Sequence, residues 1–422
     1  MSSETVQVAV IGAGAAGIAA ARRLAEAGID AVLIEARDRL GGRAWTIRDP
    51  SGLALDLGCG WLHSADSNPW VEIAAAQGCA LDKTPPPWSR PMAHPGSSEA
   101  EQASFVQALM SYRRRANSIG EDEPDRSAAT ALEPHGRWNG LLNAVSTYYS
   151  GAELSCVSLR DLARYDDSGV NWRIPEGYGR VVATHGAGLR VRFDCAVERI
   201  DRRGRSLRIE TTKGAINATA AIVTLPSALI AALPEIFHPA LPAKTEAAAG
   251  LPLGLADKLF LSLASAEQFE NDSRCFGHTD RVETGAYHLR PFGRPMIEAY
   301  FGGRLAADLE KGGQPAFVDF ALAELAGLFG SDFRRRLSPI AYHGWGADPL
   351  SRGSYSYALP GMADRRAALS APVEDRLFFA GEACSREAFS TAHGAYATGI
   401  AAADQAIAAL RLQKSIAIER RA

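Results

Sequence analysis

The sequence predicts an α/β fold of more than one domain, and three observations predict it. A strand, a glycine-rich loop, a helix and a second strand follow one another at the N-terminus. A proline-rich break follows within the first hundred residues. A short buried strand and a long Ala-rich helix then return near the C-terminus. The first of these, with its short loops, implies a right-handed βαβ unit in a parallel sheet.

The elements justify this in order. Val6 to Ile11 reads VQVAVI, a short apolar strand, and the helix-forming AAGIAAARRLAEAG stops at Gly28. Ala31 to Glu35, AVLIE, is the next strand. Pro85 to Pro87, Pro91 and Pro95 break regular structure. Glu99 to Ser118 is expected to be a helix, and Glu121 to Pro134 a surface loop. Strand-like runs lie at Val197 to Asp201, Leu207 to Thr211, Ala221 to Leu225 and Lys258 to Leu263. Pro315 to Phe329 is helix-like, Leu377 to Ala380 a short strand, and His393 to Leu412 a helix. Gln413 to Ala422 is expected to be a solvated tail.

Composition bounds the function. Of 422 residues, 47% are hydrophobic and 22% charged, which excludes a disordered or fibrous chain. The 45 basic and 48 acidic residues give a net charge of −3, so neither nucleic acid nor an anionic membrane is an expected partner. The arginine triplets at Arg113 to Arg115 and Arg334 to Arg336 read as solvated helix faces. No apolar run reaches the roughly 18 residues of a membrane span. The opening MSSETVQ lacks the basic start of a secretory signal, and the six cysteines have no C-x-x-C spacing. A cytoplasmic location, reduced thiols and no metal site are therefore expected, in a monomer or homodimer.

Gly12-Ala13-Gly14-Ala15-Ala16-Gly17 fits G-x-G-x-x-G in the strand–loop–helix context that gives the pattern meaning. Gly12 permits the turn, Gly14 lets a pyrophosphate approach the backbone, and Gly17 allows the helix to pack closely. The phosphates are expected on the positive helix end, over Ala15 and Ala16. Glu35 ends the second strand and suits ribose hydroxyls. Next come Ala36, Arg37 and Gly41-Gly42-Arg43, whose arginine is expected to return towards the phosphates.

On these residues the chain resembles the flavin-containing amine oxidases, and further segments in order extend the resemblance. Asp56-Leu57-Gly58-Cys59-Gly60-Trp61-Leu62-His63 resembles that family's flavin-proximal stretch, in the form of its polyamine and spermine oxidase branch. Ile174 to Gly179, Phe237 to Lys244 and Gly254-Leu255-Ala256-Asp257-Lys258 are similar to further family segments. Leu377 to Glu382 and Thr391-Ala392-His393-Gly394-Ala395 resemble its second FAD-binding motif.

The resemblance implies an FAD-binding domain over 1–85, 173–250 and 365–412. It implies a substrate domain with a mixed sheet and helices over 86–172 and 251–364. It implies FAD contacts from Gly58, Gly60, Trp61, Val197, Gly381, Glu382, Thr391, Ala392 and Ala395, besides the N-terminal residues. The implied reaction takes a hydride from the carbon beside a neutral primary or secondary amine to flavin N5. The imine then hydrolyses, and dioxygen leaves as peroxide. Lys258 would hold a water near N5 and favour electron transfer to oxygen. Tyr355 would form one wall of an aromatic cage, with Thr391 where the monoamine branch has a second tyrosine. Trp345 or Trp61 would add wall, and His63 would lie beside the substrate. Ser354 stands where monoamine oxidases carry a flavin-linked cysteine, so FAD is expected to be non-covalent.

Asp166 and Asp167 are the candidate carboxylates for a distal ammonium, and Arg290 a candidate for a substrate carboxylate. The alternatives are a desaturase or protoporphyrinogen-type oxidase, an NAD-dependent dehydrogenase, and a catalytically silent FAD-binding protein.

Overall fold

The structure is a computed structural model and describes residues 4–93, 95 and 97–419. The described residues divide into two compact units, one of residues 4–45, 179–252 and 364–419 and the other of residues 46–178 and 253–363.

The first unit is built on a mixed sheet. Strands Val191–Arg192, Ala31–Ile34, Glu4–Ile11, Gly214–Val223 and Leu377–Phe379 run parallel in that spatial order. The ten-residue strand Gly214–Val223 also pairs antiparallel with Leu207–Thr211, which continues to Val197–Asp201. The parallel strands carry near-continuous apolar runs because both faces are covered: Val8, Ala9, Val10 and Ile11 are each at most 1% exposed. Burying a side chain of this size contributes about 1.5–3 kcal/mol. Helices Ala15–Glu26 and Ala392–Glu419 pack on each other. The second helix runs seven residues past the expected Leu412 and takes in most of the expected tail; residues 420–422 lie outside the described residues. Its alanines favour the helix, so nothing in its sequence stops it at Leu412.

The second unit is organised by a five-stranded sheet in the order Ser273–Phe276, Ala286–Leu289, Met296–Gly302, Ala256–Leu263 and Leu337–His343. The sheet expected here to be mixed is antiparallel at every described pairing, and the mixed sheet lies in the first unit. Its first three strands follow one another through short connections, which antiparallel pairing permits and parallel pairing does not. One face presents Leu259, Leu261, Ile297, Ala299, Phe301, Tyr287 and Leu289 to helix Gly313–Phe329, whose Phe317, Ala321 and Leu325 close the core. The opposite face carries the polar side chains described below. Helix Glu99–Ala116 starts at a capping box of Ser98 and Glu101.

Residues 46–85 fall in the second unit rather than with the nucleotide-binding segments. The hairpin of Thr46–Arg48 and Ala54–Asp56, and bridges from Leu62 to Trp172 and Asp82 to Arg173, tie this stretch to its own unit. The other unit boundaries, near 179, 252 and 364, stand beside proposed limits at 173, 250 and 365.

Gly399 sits where the two helices of the first unit meet. A Cβ there would come 2.2 Å from the Ala16 carbonyl oxygen. Gly399→Val is expected to destabilise the protein by at least about 1–3 kcal/mol, the usual range for overpacking. Thermal unfolding with a Tm equal to that of the wild type would show that the helices part without cost.

Candidate functional site

The nucleotide cradle belongs to the first unit. Gly12 leaves the first strand at φ 100°, and Thr224 Oγ1 donates to the Gly12 carbonyl at 3.0 Å. A Cβ on Gly17 would stand 1.8 Å from the Gly12 carbonyl oxygen, so only glycine lets the helix start this close to the turn. Gly14 differs: the nearest atom to a Cβ there is the Gly41 carbonyl oxygen at 4.0 Å. Gly14 also gives the helix no side-chain cap. Open space over an uncapped helix N-terminus fits a pyrophosphate.

Glu35 is buried, with Oε2 accepting from the Ala13 N–H at 2.7 Å and Oε1 from the Arg37 N–H at 2.8 Å. It therefore braces the glycine loop, and each carboxylate oxygen keeps a lone pair for a ribose hydroxyl. The Cys195 N–H donates to the Glu35 carbonyl and the Asp194 N–H to the Arg37 carbonyl, which brings the start of strand Val197–Asp201 beside Glu35 to Arg37. Gly41 N–H donates to the Ala13 carbonyl at 2.8 Å, and Gly42 lies against Gly14.

Arg43 pairs with Glu382 at 2.8 Å, and the second Glu382 oxygen accepts from the Ser390 N–H. The two dinucleotide motifs are thus joined by an ion pair. Thr391 is an N-cap: its Oγ1 accepts from the Gly394 N–H at 3.0 Å, and its carbonyl accepts from the Ala395 N–H. Ala392 opens the helix behind it. A recess at the carboxyl ends of strands Gly214–Val223 and Leu377–Phe379 is lined by Arg43, Leu225, Gly381, Glu382 and Ala383. This is where parallel α/β sheets bind ligands.

The second cluster belongs to the second unit. Lys258 stands on the polar face of its sheet, opposite Tyr300, and is 3% exposed. Its Nζ donates to the Asp56 carbonyl at 3.0 Å and pairs with Glu298 Oε1 at 2.8 Å. Gly60 closes over it, since a Cβ there would lie 3.2 Å from Nζ. Burial alone would lower the Lys258 pKa, but the Glu298 carboxylate, Tyr300 and Asp56 outweigh it and raise it. Burial likewise pushes Glu298 up, and the Lys258 ammonium with His288 reverses this to about 2. The pair is ionised across the physiological range.

Tyr300 and Tyr355 bond to each other, the Lys258 Nζ lies 5.5 Å from the Tyr300 ring centre, and the Tyr355 hydroxyl donates to the Tyr148 carbonyl. Ser354 is held by the Ala256 backbone. Trp61 packs edge-on to Trp88 at 4.5 Å, with the Arg173 guanidinium 4.9 Å from its ring centre. Trp345 is 2% exposed, its Nε1 donating to the Leu57 carbonyl at 3.1 Å, so it supports the loop that carries Gly58. His63 bonds through Nδ1 to Asn171 Oδ1 at 2.5 Å, and burial holds its pKa below the usual histidine value despite that bond.

Comparison with known proteins decides the family. The family model for flavin containing amine oxidoreductase matches residues 15–407. The chain belongs to this family. It is 31% identical to polyamine oxidase 2 of Arabidopsis thaliana, over 96% of this chain and 88% of that protein. It is 29% identical to lysine-specific histone demethylase 1 homolog 3 of Oryza sativa subsp. japonica, over 93% of this chain and 53% of that protein. Among solved structures, wild-type putrescine oxidase bound to putrescine shares the fold with a TM-score of 0.75 at 18% identity, over 96% of this chain and all of that one. The protein is thus a flavin-dependent amine oxidase that uses FAD.

Sequence reasoning about this amine oxidase missed Glu298, Tyr300, His288, Asp272 and Arg173. Strand Met296–Gly302 reads MIEAYFG, and its alternation of Glu298 and Tyr300 with Ile297, Ala299 and Phe301 was the available signal. Asp166 and Asp167 are exposed in a turn, where Asp167 accepts from the Gly169 N–H. Arg290 is spent on the Phe269 carbonyl at 2.7 Å.

Asp257, beside Lys258, is fully buried with Oδ1 accepting from the Trp345 N–H. Burial, then the neighbouring Glu310, pushes its carboxyl well up, which favours the protonated form. A carboxyl whose pKa is raised by folding gives stability that is complete below its unfolded value and is lost as pH rises through the folded one. Asp257→Asn is therefore expected to raise Tm at about pH 8, with a gain that fades as pH falls below about 4. Calorimetry across that range checks it, and a pH-independent difference would contradict it.

The glycines yield a second test. Gly14→Ala is expected to leave the apoprotein Tm unchanged and to weaken FAD binding by about tenfold or more, or about 1.4 kcal/mol. Gly17→Ala is expected to lower both. FAD titration of the apoprotein, with Tm measured alongside, separates them; equal FAD affinity in Gly14→Ala would remove Gly14 from the phosphate site.

Proposed function

We propose that this amine oxidase oxidises a primary or secondary amine of the polyamine or monoamine class, with dioxygen as the acceptor. The observation that carries the reading is Lys258, a buried and charged ammonium on a sheet face beside the tyrosine pair Tyr300 and Tyr355. Its place in the sequence also corresponds to the family's lysine.

FAD would be held by the Gly12 to Gly17 loop, Glu35, the Gly41 to Arg43 turn and the segment from Gly381 to Ala395, and Ser354 offers it no covalent link. When bound, the flavin accepts a hydride equivalent from the carbon beside the amine nitrogen and passes the electrons on to oxygen. Tyr355 and Tyr300 offer aromatic faces that orient an amine and favour residual positive charge on it. His63, held neutral by burial, is a polar contact for the substrate rather than a competing cation. Lys258 presents a fixed positive charge, which stabilises negative charge developing on oxygen in a site that excludes water. An ammonium held charged above neutrality cannot serve as the base that takes the substrate's proton, so Lys258 has no such role.

The reading is supported by the 31% identity to polyamine oxidase 2 over nearly the whole of both chains. Putrescine oxidase, bound to putrescine, shares the fold.

The test is anaerobic bleaching of the flavin band by spermine, spermidine, putrescine, an arylalkyl amine, a cyclic amine and an amino acid. One amine of the polyamine or monoamine class is expected to bleach the band, with air restoring it and releasing peroxide. Bleaching by none of them would favour the desaturase or silent-protein alternatives. Lys258→Met is expected to retain FAD and slow reoxidation by oxygen by at least about tenfold, about 1.4 kcal/mol of barrier. An unchanged reoxidation rate would remove Lys258 from that role.

A further inference from the structure

Lys258 is one end of a file of titratable and charged side chains, buried or half-buried, within the second unit. Its Nζ is 2.8 Å from Glu298 Oε1. Glu298 Oε2 is 3.8 Å from His288 Nδ1, and His288 Nε2 is 3.0 Å from Asp272 Oδ1. Asp272 Oδ1 is also 2.7 Å from Arg173 Nη1, and Arg173 Nη2 is 2.6 Å from Asp82 Oδ2. The Lys258 and Arg173 side chains are each 4% exposed and that of Asp272 7%.

The sheet register produces the file. Glu298 lies diagonally across from Lys258 on the neighbouring strand, within reach of a long side chain, and His288 stands directly opposite Glu298 on the next strand. Asp272 Oδ1 accepts from the Phe292 N–H, bonds to His288 Nε2 and faces the Arg173 guanidinium. The backbone around it is strained: Asp272, Arg290 and Phe292 all have φ between 53° and 58°. Strain of this kind persists only where its surroundings over-determine it, and it gathers at functional sites.

Stability alone does not account for such a file, because well-packed apolar residues in place of buried ion pairs are often neutral or stabilising. Nor is the file a free receptor for a substrate ammonium, since Glu298 and Asp272 each already face a cation of the protein.

We propose that Glu298 is a positioning residue for the oxidase reaction: its ion pair fixes the place and charge of the Lys258 ammonium, and His288, Asp272 and Arg173 hold Glu298 in turn. This rests on the role given to Lys258 above. The groups facing Lys258 are Glu298 and Tyr300 on one neighbouring strand, His343, which bonds to Asp348, opposite it on the other, and the backbone carbonyl of Asp56, with Asp56 adding its negative charge. Of these, Glu298 contributes most against burial. Without its carboxylate the opposition to burial weakens, and Lys258 would lose its proton at lower pH.

The experiment is a pH titration of the FAD-loaded protein labelled with 13Cε-lysine. The chain has six lysines, and the Lys258 signal is assigned by its loss in Lys258→Met. In the wild type, the Lys258 signal is expected to show no titration below about pH 10.5. In Glu298→Gln its midpoint is expected to fall by at least about one pH unit, with a smaller fall in Glu298→Asp. The rate of flavin reoxidation should drop with the same midpoint, and that pH dependence should vanish when Lys258→Met is added.

A wild-type Lys258 that titrates at or below its ordinary value overturns the proposal, and this measurement needs no variant. So does a Glu298→Gln midpoint that stays at the wild-type value. Normal reoxidation in Lys258→Met, with the expected shift in Glu298→Gln, would instead defeat the oxygen role of Lys258 and leave the ion pair in place.

Discussion

Burial works against the charge of a lysine ammonium, and an opposite charge within reach works for it. The effective cost of removing an ion from water is several kcal/mol even after relaxation. Much of the second unit answers that constraint. Lys258 needs Glu298, and the neighbouring strand puts Glu298 one diagonal step away. Glu298 is held from its other side by His288, and His288 by Asp272. The Asp56 carbonyl and the close approach of Gly60 then fix the loop that the sequence marks as flavin-proximal. Beside it in sequence, Asp257 has its carboxyl pushed up by burial and accepts through Oδ1 from the Trp345 N–H.

The first unit answers a steric constraint. A dinucleotide needs backbone where side chains would otherwise be, so the glycines divide the work. Gly17 is demanded by the protein itself, and Gly14 by the space a ligand would fill. Glu35 closes the loop from beneath, and the Arg43–Glu382 pair joins motifs more than 300 residues apart in the chain. The same logic places Gly399 where helix Ala392–Glu419 meets Ala16. A break at any of these points separates parts of the chain that only work together.

How much was legible follows from how local each signal is. The strand, glycine loop and helix from Glu4 to Glu26 are consecutive, and local propensity agrees with tertiary context, so they read directly. The sheet face around Lys258 was not legible. Strand Met296–Gly302 went unrecognised, and no spacing in the chain announces that Glu298 stands beside a lysine 40 positions earlier. Asp166 and Asp167 drew notice because they are adjacent, yet adjacency on a loop reflects solvent exposure more than a shared task. Residues 46–85 show a related effect: the proline run is a visible break, but bridges to Trp172 and Arg173 tie that stretch to the second compact unit.

The sequence by itself determined the α/β class, the dinucleotide motif, the resemblance to amine oxidases and the identity of Lys258 as the residue to watch. Those properties depend on residue type at short spacing, which a chain displays in one dimension. The tertiary structure alone decided that Lys258 is buried yet charged, that Glu298, His288, Asp272 and Arg173 line up behind it, and that Arg43 meets Glu382. Charge and burial are properties of neighbourhoods. The neighbours come from strand register and chain return, which hydrophobic patterning and turn geometry fix only when the whole chain packs.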